Sequence, residues 1–75
     1  MDKKATKTQI KRAATFLRRI HALQSDMYYF QDELKDNGLA LAGEKAGNAA
    51  FELDTCRNEM EACTKLLQSS NYGPQ

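Results

Sequence analysis

Tryptophan is absent from this 75-residue chain, and proline and histidine occur once each, as Pro74 and His21. With proline confined to the end, no proline interrupts helix across the body of the chain, and β-branched residues are too sparse to favour sheet. A single histidine leaves no second imidazole for a metal site, and no glycine-rich phosphate loop occurs. Glu59 and Glu61 stand two apart, so they do not share a helical face as an acid–base pair would. A non-enzymatic protein with no cofactor and no metal is therefore expected. No apolar run is long enough to span a bilayer, and no charged-then-apolar leader opens the chain. Those two absences make a cytoplasmic protein without a membrane partner the expectation.

The two cysteines, Cys56 and Cys63, lie seven residues apart. On one helix that is a rise of about 10 Å, beyond the reach of a disulfide. They are expected to behave as small apolar residues, with a disulfide between two copies as the alternative.

Net charge is only +1, yet it is unevenly spread. Residues 1–20 carry Lys3, Lys4, Lys7, Lys11, Arg12, Arg18 and Arg19 against Asp2 alone, a balance of +6, which leaves −5 for residues 21–75. Such polarity can steer or orient a partner.

What the chain does have is apolar periodicity. One series runs Ala13, Phe16, Ile20, Leu23, Met27, Phe30, Leu34. A second runs Leu39, Ala42, Ala46, Ala49, Leu53, Cys56, Met60, Cys63, Leu67. Alternating steps of three and four place each series on one stripe of an α-helix. Thr6 and Gln9 have the spacing of a capping box. Asn37-Gly38 supplies a stop signal. The fold expected is an all-α antiparallel two-helix hairpin forming a single domain over residues 1–75. Its helices would cover about 7–36 and 39–68, with a turn at 37–38 and loose tails at both ends. Gly43 and Gly47 each cost about 1 kcal/mol relative to alanine inside a helix, so the start of the second helix is expected to be irregular. Matching the stripes sets Leu23 opposite Leu53, Ile20 opposite Cys56 and Phe16 opposite Met60.

Two helices cannot enclose a core. Ile10, Ala14, Leu17, Ala50 and Leu66 also widen the apolar surface beyond one seam. A homodimer closing into a four-helix bundle is the expected completion. Tyr28, Tyr29 and Phe51 fall outside the stripes, where aromatics serve as interface anchors. Asp26, Asp32, Glu33 and Asp36 surround the tyrosines in sequence and would orient a partner. The function expected is protein binding, as a regulator, inhibitor or assembly adaptor that docks onto another protein. The alternative is nucleic-acid binding through Lys7, Lys11, Arg12, Arg18 and Arg19, whose helical spacing could follow a phosphate backbone.

Overall fold

Thr6 and Gln9 open the first helix by satisfying each other's backbone. The Gln9 N–H donates to Thr6 Oγ1 at 3.0 Å, and the Thr6 N–H donates to Gln9 Oε1 at 2.9 Å. This capping box satisfies amides that the first turn would otherwise leave without partners. The helix that follows, α1, spans Lys7–Asp36, and a second, α2, spans Ala40–Tyr72. These come from a computed structural model that describes residues 4–72, with side chains as far as Ser69.

Gly38 ends α1 with φ at +79°, a conformation that suits glycine because it has no Cβ. The Leu39 N–H then reaches back to Leu34 O at 2.8 Å, and the Gly38 N–H reaches Lys35 O at 3.2 Å. That pair of bonds is a Schellman closure, which satisfies the last carbonyls of the helix. The Asn37 side-chain amide adds a bond to Glu33 O at 2.7 Å. The chain therefore turns back within three residues, and α2 begins at once.

Two expectations about α2 are corrected. It is continuous through Gly43 and Gly47, and it runs on to Tyr72, past the Ser69-Ser70-Asn71 stretch expected to be a tail. Both glycines are buried against α1. A Cβ at Gly43 would lie 2.8 Å from Lys35 Cγ and 3.1 Å from Gln31 O, and one at Gly47 would lie 2.8 Å from Gln31 Cδ. At Gly43 the helix-propensity cost is set against a close contact with backbone, Gln31 O, while at Gly47 the neighbour is the Gln31 side chain. At the start of the chain, Ala5 is buried rather than loose. The rest of the two expected tails, residues 1–3 and 73–75, lies outside the described residues.

The seam between the helices is rotated from the expected one. Along α1 the rows facing α2 are Ala13–Ile20–Met27–Leu34 and Ile10–Leu17–Gln24–Gln31; all are buried or half-buried. Along α2 they are Ala46–Leu53–Met60–Leu67 and Gly43–Ala50–Arg57–Thr64, again buried or half-buried. The expected stripes shared only the first row of each helix. Their second rows, Phe16–Leu23–Phe30 and Ala42–Ala49–Cys56–Cys63, are exposed. Ile10, Leu17 and Ala50, expected on the flanks, are in the seam; Leu66 stays outside.

Polar packing explains the rotation. Gln24 is buried, and its Nε2 donates to Ala50 O at 2.8 Å and to Asp54 Oδ1 at 2.7 Å. Its Oε1 accepts from Arg57 Nη1 at 3.3 Å. Arg57 also pairs with Asp54 at 3.3 Å and with Glu61 at 3.7 Å. A seam through Leu23 would forfeit this network and the close approach at Gly43 and Gly47.

Candidate protein-docking surface

The hairpin is a slab whose extents are 59 × 17 × 11 Å, two helices wide and one helix thick. Domains ordinarily bury apolar faces between at least two layers. Among the described residues, no large side chain is fully buried, and the only buried apolar side chains are those of Ala5, Ala13 and Ala50. Each broad side of the slab is open, and the two sides differ in character.

One side is polar. A groove there is lined by Leu17, Arg18 and His21 of α1 with Arg57 and Glu61 of α2. The row His21–Tyr28–Lys35 continues along it, and the Gln24–Asp54–Arg57 network crosses it.

The other side is apolar. A shallow groove joins Gln9, Arg12, Ala13 and Phe16 to Met60, Cys63 and Leu67, which shows that the Phe16 row and the Cys63 row flank the seam together. Phe16, Leu23 and Phe30 are 40%, 50% and 51% exposed. Beside them lie the exposed Ala42, Ala49, Cys56 and Cys63. Neither cysteine forms a disulfide. Periodicity assigns these residues to the hairpin's own seam, whereas in the structure they form an open surface. A signal for it lies in the sequence, since each helix carries two apolar rows and a third, half-apolar row beside them (Ile10 and Leu17 on α1, Gly43 and Ala50 on α2), while a single seam uses only two.

The aromatics Tyr28, Tyr29 and Phe51 are all exposed, Tyr29 and Phe51 by 76% and 68%. They do not share one surface with all four acids. By helical periodicity, Tyr28 follows the His21 row on the polar side, with Asp32 and Phe51 on that side's outer edges. Tyr29 and Asp36 lie on the back of α1, away from α2. Asp26 and Glu33 continue the row of Arg12 and Arg19, on the outer rim of the apolar side. Asp26, Asp32, Glu33 and Asp36 are all exposed.

The basic residues also divide. Lys11, Arg12 and Arg19 line a groove on α1 with Thr8, Thr15 and Phe16. The Arg12 guanidinium lies 5.9 Å from the centre of the Phe16 ring, within cation–π range. Arg18 turns toward the polar side and donates to Thr15 Oγ1 at 3.1 Å, while Lys7 is exposed in the first turn of α1. Among the described residues, no cluster of three or more His, Cys, Asp or Glu side chains could hold a metal ion, and no helix is long and apolar enough to cross a membrane. No protein-family model, curated protein or solved structure matches this chain.

Proposed function

We propose that this chain is a small, non-enzymatic protein-binding module that works as a homodimeric four-helix bundle and docks onto another protein as a regulator, inhibitor or assembly adaptor. The observation that carries this reading is the open apolar face of a one-layer hairpin. Phe16, Leu23 and Phe30 lie half-exposed in one strip beside a row of small side chains, and contiguous apolar strips mark protein contacts. Pairing two slabs on that face leaves Tyr28, Tyr29, Phe51, Asp32 and Asp36 on the outside, available to the second partner. Asp26 and Glu33 then lie on the dimer's rim.

The outward set is tested by affinity capture from a lysate of the source organism. The Tyr28→Ala, Tyr29→Ala, Phe51→Ala triple variant is expected to lose the captured protein while its thermal melt stays that of the wild type. The substituted side chains are exposed, so surface-type stability effects are expected. Capture unchanged by all three replacements would remove these aromatics as the docking site.

A second reading, nucleic-acid binding, is favoured by the groove in which Lys11, Arg12 and Arg19 converge. Phosphate binding falls steeply with salt, so a gel shift of RNA or DNA at low salt, lost at moderate salt and lost in the Arg12→Ala, Arg19→Ala variant, is its expected signature. No shift by the wild type at low salt would dispose of it.

A further inference from the structure

We infer that the apolar face takes a second copy of this hairpin in one particular orientation, with α1 of each copy lying on α2 of the other and the two-fold axis parallel to the helices. The inference rests on the dimer reading above and adds the orientation. Its first support is steric. The face carries a row of large side chains on α1, Phe16, Leu23 and Phe30, beside a row of small ones on α2, Cys63, Cys56 and Ala49. Both rows repeat every seven residues, and the hairpin sets them side by side, with Phe16 and Cys63 lining one groove. Turning a second copy about an axis along the helices brings Phe16 over the partner's Cys63, Leu23 over the partner's Cys56 and Phe30 over the partner's Ala49. One register satisfies all three, and symmetry repeats them on the other side. Large against small keeps the layers evenly spaced. Rotating the copy end for end instead would set large on large along one edge and small on small along the other. The slabs would then splay.

Charge on the outer rims supports the same occupant. Three residues on from the small row, α2 carries Lys45, Glu52, Glu59 and Leu66, all exposed. The matching rim of α1 carries Arg12, Arg19, Asp26 and Glu33, also exposed and making no ion pair within the described residues. In the same register Arg19 meets the partner's Glu59, and Glu33 meets the partner's Lys45. Arg12 lies over the partner's Leu66, and Asp26 opposite the partner's Glu52 is the like-charged meeting. An unrelated partner would need its own complement to this alternation. A second copy supplies it from the hairpin's own two rows, in the self-complementary manner of a two-fold interface.

A charge exchange tests both levels. One variant carries Arg19→Glu and Glu33→Lys, the other Lys45→Glu and Glu59→Arg. Sedimentation equilibrium and light scattering read dimerisation, and circular dichroism confirms that each remains helical. Wild type is expected to be a dimer at micromolar concentration. Each variant alone places like charges at both contacts, twice over by symmetry, and is expected to dimerise about 100-fold more weakly. An equimolar mixture restores opposite charges at all of these contacts and should recover wild-type affinity as a heterodimer. A wild-type particle of 8.5 kDa would overturn the dimer reading itself. A wild-type dimer with variants that self-associate normally, or that fail to recover on mixing, would overturn the orientation and leave the dimer standing.

Discussion

An Ala50→Leu hairpin is expected to be about 3 kcal/mol less stable than wild type, at the upper end of what overpacking usually costs. Ala50 is 0% exposed, and its carbonyl accepts the Gln24 amide at 2.8 Å across the seam. A leucine adds three carbons where the helices already touch. The slab can accommodate them only by separating its helices, which also breaks the bonds from Gln24 to Ala50 and Asp54. Leaving such buried groups without partners adds a penalty beyond strain. Ala62→Leu, on an exposed position of the same helix, is the control and should change stability by no more than about 0.5 kcal/mol. Urea denaturation compares the two. Equal midpoints would mean that the seam does not run through Ala50.

The placement of that seam marks where the sequence was legible and where it was not. Local signals carried through to the structure: Thr6 and Gln9 form the cap, Asn37-Gly38 makes the turn, and α1 has the bounds its pattern implied. Periodicity also found one true row on each helix, Ala13–Ile20–Met27–Leu34 and Ala46–Leu53–Met60–Leu67. It could not choose the neighbouring row, because two candidates flank each of these by the same helical step. Counting apolar residues selected Phe16–Leu23–Phe30 over Ile10–Leu17–Gln24–Gln31. The structure takes the latter because Gln24 is satisfied on the polar side by Ala50, Asp54 and Arg57. Those partners lie 26 to 33 residues away, so no local pattern announces them. Gly43 and Gly47 misled in the same way. Their cost is intrinsic to the helix and visible in sequence, whereas their benefit appears only when Gln31 and Lys35 of the other helix are in place. Tyr28, Tyr29 and Phe51 were legible as surface residues because they fall outside every row that either seam could use. That they do not gather on one face with all four acids depends on the rotation, and so was not legible.

Leu23→Glu is expected to abolish the proposed dimer while leaving the hairpin helical. In the single hairpin Leu23 is 50% exposed, so a carboxylate there finds water and costs the hairpin little. In the dimer it would lie over the partner's Cys56 with apolar neighbours on both sides, and the two-fold axis makes the change count twice. Burying an unpaired carboxylate costs several kcal/mol unless it takes up a proton. A loss of about 1,000-fold in dimer affinity, or about 4 kcal/mol, follows from even a partial penalty at both sites. Thiol chemistry gives a second readout. Cys56 and Cys63 are exposed in the hairpin, but in the proposed dimer they lie beneath the partner's Leu23 and Phe16. Alkylation of wild type should therefore slow as protein concentration rises through the dimerisation range. In Leu23→Glu the thiols should react at one fast rate at every concentration. Fast, concentration-independent alkylation of the wild type would place the second copy somewhere other than on this face.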